Sequence, residues 1–519
     1  MEFLMNNLLT LILFTPVLGA VIVMTLPRKQ DNLVRWTSFV MSLIPLALSL
    51  ALWFNFDKAQ AGFQFEQKLV WYQALNSSYH LGVDGISLTM VFLTTLLTPL
   101  AILASFSIKE RIRPYMALFF LLEMGMLGVF LSLDLLLFFV FWEFGLVPMY
   151  FLINQWGSEK GEREVWGGRK LPARTYASMK FMLYTMAGSL GLLLAIQMIG
   201  LVSGTFDIPE LFQTWTSLNA SPFAGISIST VKSIAFWAFT IAFAIKVPVW
   251  PFHTWLPDAH TEAPTAGSMI LAGVLLKLGA YGFLRLVLPL YPAEAHTYSG
   301  WLAFLAVMAI IFGALASWGQ DDFKRLVAYS SVNHMGFVVL GIAAAAYAAG
   351  TQDATIALNG SVLQMFNHGL SAAGMFFLVG VVYERTHTRN LNEFGGLFPL
   401  VPVYGGILLF TSMASLGLPG LNGFISEFLV VRGSWGSGWV FPIFTALAMI
   451  GLFFTGAYIL KGIKQVLHGP LNEHWIGHIS EINTREIFVM TPLMVLMLWI
   501  GVWPAWILEI INNTVTRLF

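Results

Sequence analysis

Four charged side chains lie deep inside apolar stretches of this sequence, where a membrane interior would offer them no water: Glu143, Lys246, Lys277 and Glu427. Glu143 has about ten apolar or small residues on either side, in the stretch LDLLLFFVFWEFGLVPMYFLI. At a helical rise of about 1.5 Å per residue it would lie near the midplane of a hydrocarbon core about 30 Å thick. Each such charge costs at least about 2.5 kcal/mol to insert, so several charges of both signs indicate an ion or proton path.

The composition is that of an integral membrane protein. Hydrophobic residues make up 57% of the 519 residues, 10% are charged and the mean hydropathy is +0.75, whereas soluble domains carry about 25% charged residues. The net charge of zero excludes nucleic acid as an expected partner, because phosphate binding needs an excess of Lys and Arg. The absence of cysteine excludes thiolate zinc, cysteine-ligated iron–sulfur clusters and disulfides within the chain. Electrons of any associated redox reaction would therefore travel elsewhere.

An apolar window of about 20 residues predicts an all-α polytopic membrane protein with about fourteen spans. The spans centre near residues 15, 43, 95, 122, 144, 188, 240, 276, 308, 337, 368, 415, 450 and 498. Eighteen Lys and Arg residues lie around the loops that follow odd-numbered spans, and three lie in loops that follow even-numbered spans. By the positive-inside rule, the odd loops face the cytoplasm and both termini lie on the far side.

Two spans are predicted to be broken at membrane depth. In the seventh, Pro248 and Pro251 follow directly on Lys246, and each proline removes a backbone donor. In the twelfth, the stretch GLPGLNG lies just before Glu427. Irregular backbone is tolerated there only where it is buried in protein or lines a wet cavity. The alternative is a kink that merely improves packing.

The breaks fall at matching places if spans four to eight and nine to thirteen form two five-helix units. Five is odd, so the second unit would cross the membrane in the opposite sense, as in the inverted repeats of transporters. The second helix of each unit carries a titratable group, Glu143 or His334. The predicted organisation is helices one to three in 1–110, the first repeat in 111–292, the second in 293–470, and a loop with the last helix in 471–519.

Four long motifs carry a resemblance to a known family. They are KVPVWPFHTWLPDAHTEAPTAGSMILAGVLLKLGAYGFLR at 246–285, FFVFWEFGLVPMYFLI at 138–153, DDFKRLVAYSSVNHMG at 321–336 and GLPGLNGFISEF at 417–428. The chain resembles the antiporter-like proton-pumping membrane subunits of NADH:quinone oxidoreductase, respiratory complex I, and among them the chain M group, equivalent to mitochondrial subunit 4.

The resemblance implies a translocase subunit without a redox centre or cofactor of its own. Flavin mononucleotide (FMN), iron–sulfur clusters and quinone would bind to partner subunits. The expected partners are other membrane subunits of the complex, especially the paralogous chains L and N, together with membrane lipid. The expected location is the bacterial inner (plasma) membrane, crossed many times, with both termini on the periplasmic side.

The resemblance also implies roles for individual residues. Glu143 is similar to the carboxylate of the fifth helix that forms an ion pair with the lysine of the broken seventh helix, here Lys246. Lys277 corresponds to the proton-transfer lysine of the eighth helix, and Glu427 to the terminal proton-transfer carboxylate of the broken twelfth. His334 matches a histidine that bridges the central polar axis. A physical argument supports the same role for Lys277 as a proton carrier. Moving Glu143 toward or away from Lys246 would change the electric field at Lys277, and in a low dielectric this change is large enough to alter its protonation.

Structural roles remain alternatives for each of these residues. Glu143 and Lys246 could simply lock two helices together, Lys277 could be a satisfied packing residue, and His334 could donate to a backbone carbonyl. Two further residues are weaker candidates. They are Glu123, for which a proton path and a helix-pairing role are both open, and His368, in the motif FNHGLSAAGMF.

Other polar residues are interpreted less specifically. Four residues in the loop between the seventh and eighth spans are of types that can bind metals. The surrounding prolines and the lack of a helical i, i+4 pair favour a polar entry at the cytoplasmic end of these spans, or a coupling element, over a metal site. They are His253, Asp258, His260 and Glu262. Another set lies nearer span ends, where long side chains can reach the interface as anchors: Lys180, Lys232 and Arg285.

Two other functions remain open from the residues alone. A subunit of a multisubunit Na+/H+ antiporter, of a ferredoxin-linked quinone oxidoreductase or of a membrane-bound hydrogenase could use the same buried Lys and Glu residues. The third possibility is a scaffold whose charged axis passes a signal between neighbouring subunits.

Overall fold

The computed structural model describes residues 5–60, 62–165 and 167–518, and helices dominate it. In chain order these are α1 Leu8–Thr25, α2 Asp31–Asn55, α3 Gly85–Ser107, α4 Ile112–Leu131, α5 Leu135–Trp156, α6 Ala173–Ser203, α7 Ile208–Thr214, α8 Ile228–Lys246, α9 Trp255–Glu262, α10 Thr265–Leu290, α11 Pro292–Trp318, α12 Phe323–Tyr347, α13 Gln352–Thr386, α14 Pro402–Leu416, α15 Asn422–Gly436, α16 Phe441–Leu467, α17 Thr484–Val502 and α18 Ala505–Val515. Within the described ranges, thirteen helices are long and apolar enough to cross a membrane. The predicted all-α polytopic fold is confirmed.

The seventh predicted span is broken immediately after Lys246, as the prolines predicted. Helix α8 ends at Lys246, and residues 247–254 form turns before α9 begins. The carbonyl of Ile245, freed by the break, accepts a hydrogen bond from Trp255 Nε1 at 2.9 Å. The irregular backbone is therefore satisfied within the protein, as membrane depth requires.

The twelfth predicted span consists of two short helices, α14 and α15, which confirms the second break. Gly417 ends α14 with φ +84°, and Gly420 follows with φ +93°. Only glycine adopts this left-handed region without strain, so these two positions turn the chain between the helices. Glu427 lies on the second helix, close to the break.

Helix α10 is continuous but contains two π-helical segments, Leu271–Leu275 and Phe283–Val287. In the first, the Leu276 amide donates to Leu271 O, five residues back. The 18-residue window that marks this helix as a span is completely buried inside the protein. Single π turns often occur at functional sites, and the sequence analysis did not predict them.

The loops pack in two sets at opposite ends of the bundle. At one end, Ser158 N–H after the fifth span donates to Glu262 O after the seventh at 2.9 Å. At the other end, Leu133 N–H donates to His80 O, and Ile208 N–H donates to Leu133 O, both at 2.8 Å. Loops after odd spans thus meet one another, and so do loops after even spans, which agrees with the span count.

The even-loop end carries an antiparallel hairpin of strands β1 Gln64–Tyr72 and β2 Ser77–Val83, and the odd-loop end a smaller one of β3 Glu162–Val165 and β4 Arg169–Pro172. In the larger hairpin, His80 is 4% exposed. Its Nδ1 lies 2.7 Å from Asp207 Oδ2, and its Nε2 lies 3.0 Å from Glu66 Oε2. Lys68 also pairs with Asp207, at 2.6 Å.

Burial acts to raise the pKa of Asp207, but the hydrogen bonds from His80 and Lys68 outweigh it and lower the pKa to about 2. A carboxyl with a depressed pKa stabilises the fold above its unfolded value of about 3.8, and this contribution disappears as the pH falls through about 2. At neutral pH the carboxylate therefore holds the hairpin to the loop after the sixth span.

We expect Asp207→Asn to lower the stability of the hairpin at pH 7 by about 1–3 kcal/mol, because buried donors lose their charged acceptor. Glu66→Gln is the matched control, since the Glu66 side chain is 48% exposed, and it should cost less than about 1 kcal/mol. Thermal unfolding of the purified protein in detergent measures both. Equal shifts in the two variants would contradict this account of the hairpin.

Candidate proton-transfer site

Four titratable side chains from four different helices form a buried polar axis. Lys277 comes from α10, His368 from α13, His334 from α12 and Glu427 from α15. None is more than 4% exposed. The structure therefore brings together three of the main residues predicted from the sequence and gives His368, a weaker candidate, a central place among them.

At one end of the axis, the Lys277 ammonium group donates to the Ala272 carbonyl in the first π segment and contacts His368 Nδ1 at 2.7 Å. An ammonium group can only donate, so this nitrogen of a neutral His368 is the acceptor. The other ring nitrogen then carries the proton and donates to Ser331 Oγ at 3.2 Å. Lys277 and His368 are thus joined by a hydrogen bond along which a proton can move.

At the other end, Glu427 Oε1 lies 2.8 Å from His334 Nδ1 and accepts from Gln364 Nε2 at 3.1 Å. His334 Nε2 lies 3.1 Å from the Tyr458 hydroxyl. The ring centroids of His334 and His368 are 5.7 Å apart. The axis therefore has two hydrogen-bonded halves that meet at neighbouring imidazoles.

The break in the twelfth span opens beside Glu427. A pocket of about 250 Å³ is lined by this residue together with Gly417, Pro419 and Phe428. Phe428 is 53% exposed, so the pocket reaches the outer surface of the bundle. The carboxyl end of the axis lies closer to the protein surface than the lysine end does.

The resemblance implied an ion pair between Glu143 and Lys246, and in the structure the two charges interact through space without a hydrogen bond between them. Lys246 Nζ is buried without a hydrogen-bond partner among the described residues, and it lies 4.6 Å from the centre of the Trp142 ring. Glu143 Oε1 is also buried and unpartnered within those ranges. The indole is itself held, because Trp142 Nε1 donates to Ser189 Oγ at 3.0 Å. A cation–π contact thus occupies the lysine.

Glu123 is completely buried on α4; the Thr98 side chain of α3 lies near its carboxylate, but neither oxygen reaches hydrogen-bond geometry with a described residue. Helix α4 contacts α5 closely nearby, since a Cβ on Gly125 would lie 3.0 Å from Gly145 Cα. Gly145 is two residues beyond Glu143, so the two carboxylates lie on helices in direct contact. The structure shows no bond between them.

The predicted polar entry lies at the odd-loop end. His260 stacks on Phe376 with ring centroids 4.3 Å apart, and its two ring nitrogens have no hydrogen-bond partner among the described residues. Burial raises the pKa of Glu262 against the opposing charges of Arg389 and Lys324. Over the described ranges, no three His, Asp or Glu residues are grouped to hold a metal ion.

Lys324 is the polar residue at this entry whose role sequence reasoning missed. It is 6% exposed, its ammonium group donates to Ala263 O at 2.5 Å, and it lines a pocket of about 230 Å³ with Arg389 and Glu384. The sequence analysis counted it only as a basic loop residue. Its position at the start of a span, in the motif DDFKRLVAYSS, was the available signal.

Gly279 sets the distance between Lys277 and the break after α8. A Cβ at this position would lie 2.8 Å from Phe243 O and 2.9 Å from Val247 N. Phe243 lies in the last turn of α8 and Val247 directly follows Lys246, so these backbone atoms can give way only if the helix end moves. The close approach of α10 to the broken helix therefore requires glycine here.

We expect Gly279→Ala to destabilise the protein by about 1–3 kcal/mol, the usual cost of overpacking a buried contact. Gly406→Ala is the matched control, because nothing lies within 4 Å of a Cβ there. The measurement is thermal unfolding of both variants in detergent. An unchanged midpoint for Gly279→Ala would show that α8 and α10 separate without cost.

Comparison with known proteins places these features in a family. The profile described as NADH:quinone oxidoreductase/Mrp antiporter, TM matches residues 132–455. The chain is 39% identical over 523 residues to NADH-quinone oxidoreductase subunit M of Rhodobacter capsulatus, covering 99% of this chain and 96% of that one. It is also 39% identical over 515 residues to NADH-ubiquinone oxidoreductase chain 4 of Marchantia polymorpha, covering 99% and 97%.

A solved structure shows the same fold. A chain of respiratory complex I from Thermus thermophilus with bound NADH superposes with a TM-score of 0.82 and 27% identity, covering 98% of this chain and 99% of that one. The nearly full-length sequence matches, the shared fold and the family profile agree with one another. This chain therefore belongs to the NADH:quinone oxidoreductase/Mrp antiporter family, as an antiporter-like membrane subunit of the subunit M and chain 4 group.

Proposed function

We propose that protons cross this antiporter-like subunit of an NADH:quinone oxidoreductase along Lys277, His368, His334 and Glu427. The observation that supports the route is the pair of buried contacts, Lys277 Nζ to His368 Nδ1 at 2.7 Å and His334 Nδ1 to Glu427 Oε1 at 2.8 Å. Proton transfer needs donor and acceptor at about this separation. Desolvation also favours the neutral forms of lysine and carboxyl groups, so each can change charge in a dry interior.

Each step moves one proton between named atoms. The Lys277 ammonium gives its proton to His368 Nδ1, and the resulting imidazolium releases the proton on Nε2. One bridging water, or a rotation of either ring, carries it across the gap between the imidazoles. His334 then takes it up at Nε2 and passes the proton of its Nδ1 to Glu427 Oε1.

Glu143 and Lys246 would control this transfer through their electric field. In a medium of low effective dielectric, a unit charge acts over many ångströms, whereas water would screen it. An approach of Glu143 to Lys246 would neutralise the lysine charge that acts on Lys277. Supporting this proposal, the buried atoms Lys246 Nζ and Glu143 Oε1 have no hydrogen-bond partner in the described structure, so neither is held by a hydrogen bond that must first break.

We also propose the orientation of the chain in the membrane, its neighbouring subunits and its internal repeats. The odd-loop end, with its basic residues and the pocket at Lys324, faces the cytoplasm as the intake side, and both termini face the periplasm across a bacterial inner membrane. The paralogous chains L and N are the proposed neighbours, and FMN, iron–sulfur clusters and quinone belong to partner subunits. Residues 111–292 and 293–470 are proposed as the two inverted repeats.

The two weaker candidate residues take secondary places in this proposal. His368 joins the main route because it bonds Lys277 directly. Glu123 is proposed as an additional proton-accepting carboxyl near Glu143, since it is buried on the helix that contacts α5. The Na+/H+ antiporter alternative is disfavoured, because relatives 39% identical along nearly the full chain are NADH-quinone oxidoreductase subunits.

We expect Lys277→Ala in the assembled complex to reduce quinone-linked proton translocation through this subunit to about one tenth or less, because each loss of about 1.4 kcal/mol in transition-state stabilisation is tenfold in rate. The measurement is proton uptake per electron in sealed vesicles, with electron transfer to quinone assayed separately.

Lys58→Ala serves as the control lysine, since Lys58 is 47% exposed in a surface pair with Glu509, and it should leave the ratio unchanged. Lys246→Ala and Glu143→Ala should lower the ratio as Lys277→Ala does. Normal stoichiometry in the Lys277, Lys246 and Glu143 variants would favour the scaffold role and rule out this route.

A further inference from the structure

Lys277 is the first of three polar residues on one face of α10. Tyr281 and Arg285 follow at intervals of four residues toward the even-loop end. Arg285 lies near a span end and was expected to reach the membrane interface as an anchor; the structure corrects this, because Arg285 is 2% exposed. A polar column therefore leads from Lys277 away from the proposed route, toward the face that carries the β1–β2 hairpin.

Every group in this column has a fixed partner. The Tyr281 hydroxyl donates to Phe130 O at 3.1 Å, lies 2.9 Å from Ser87 Oγ and accepts from Arg285 Nε at 3.1 Å. Arg285 Nη2 donates to Asp84 Oδ2 and lies 3.4 Å from Ser87 Oγ. Asp84 Oδ1 in turn accepts from the Ser87 amide at 3.0 Å and caps α3.

Protein covers the outer side of the pair. The Arg285 guanidinium lies 4.8 Å from the centre of the Phe63 ring, at the start of the hairpin. Gly85, next to Asp84, packs so closely against α18 that a Cβ would lie 2.1 Å from Ile510 O. The Gly85 amide also donates to Thr514 Oγ1 at 2.8 Å. The hairpin and α18 thus close the column at its even-loop end.

We propose that Arg285 and Asp84 form a charged barrier that prevents a proton on Lys277 from leaving through the even-loop end of α10. A guanidinium group stays protonated and has five donors but no acceptor, so it cannot take up a proton from Tyr281. The Phe130 carbonyl, which accepts the hydrogen bond of the Tyr281 hydroxyl, has no proton of its own to pass on. The fixed positive charge also repels a proton in the column, as an arginine does in channels that exclude protons.

This barrier rests on the proposed route and gives it direction. Tyr281 alone could carry a proton out of the bundle, and that loss would short-circuit the transfer to His368. With Arg285 in place, a proton leaving Lys277 meets a fixed positive charge on the Arg285 side and none on the His368 side. Arg285 is thus a positioning residue that acts on the path of the proton and does not carry it.

A purely structural role is the competing explanation, and the chain contains a matched pair to test it. Arg385 and Glu486 form another ion pair, with contacts of 2.7 and 3.2 Å between α13 and α17, in which Glu486 is buried and the Arg385 side chain is 13% exposed. No hydrogen bond connects this pair to Lys277 in the described structure. A variant that breaks this pair loses one interhelical ion pair, as the Arg285 variant does, but leaves the polar residues of α10 unchanged.

The test is passive proton flux into liposomes that contain the whole complex, without NADH, after an imposed pH jump and with a pH-sensitive dye inside. We expect Arg285→Gln to raise the flux about tenfold, because it leaves the Asp84 charge unbalanced, a net change of one unit charge about 12 Å from Lys277 at an effective dielectric near 20. The double variant Arg285→Gln with Asp84→Asn changes no net charge and replaces the acceptor-free guanidinium by amides that can accept a hydrogen bond, so it should also raise the flux, by less than the single variant. Arg385→Gln should leave the flux at the wild-type level.

The origin of the extra flux is tested by adding Lys277→Ala to Arg285→Gln, which should return it to the wild-type level. Wild-type flux in both barrier variants, an equal rise in Arg385→Gln, or a rise that survives Lys277→Ala would each overturn the proposal. Loss of assembly in the neutral double variant would mark the pair as structural and overturn it too. The pumping assay of Lys277→Ala alone tests the proposed function separately, because the flux assay involves no turnover.

Discussion

Charged groups in a dry interior must find their solvation in one another, and this constraint shapes the centre of the protein. Lys277 with His368 and His334 with Glu427 satisfy it by two direct contacts, and the two imidazoles lie side by side. A lysine or carboxylate left alone there would lose its charge, because burial without a partner costs several kcal/mol. A proton-transfer path of the proposed kind would therefore hold these groups close to the balance between their charged and neutral forms.

The irregular helices provide the polar atoms that such a balance requires. The π segment of α10 exposes the Ala272 carbonyl to Lys277, and the break after α14 places Glu427 beside a surface pocket. The break after α8 leaves Lys246 at a helix end, where its side chain lies on an indole ring. Regular helices would bury every backbone group in their own ladders and leave only side chains to solvate the charges. Polar chemistry and irregular backbone therefore occur together.

Two kinds of buried ionisable group occur in this fold. The groups of the axis can each lose or gain a proton, whereas Arg285 cannot, and it is locked by Asp84 and Tyr281. A transfer path needs the first kind along its length and benefits from the second kind where the path must stop. The placement of Arg285 on the same helix face as Lys277 makes α10 the element where both meet.

The membrane location, the span count, both helix breaks and the identity of most buried charges followed from the sequence by itself, because hydropathy, proline and glycine act locally along the chain. Which charges touch was decided only by the tertiary structure. His368 was a weaker candidate and became the partner of Lys277, Glu143 and Lys246 interact through space without a hydrogen bond, Lys324 was missed, and Arg285 is buried where an anchor was expected. These contacts depend on the rotation of each helix about its axis and on π segments that shift side chains by part of a turn. Packing between helices distant in sequence sets both, so no local pattern encodes them.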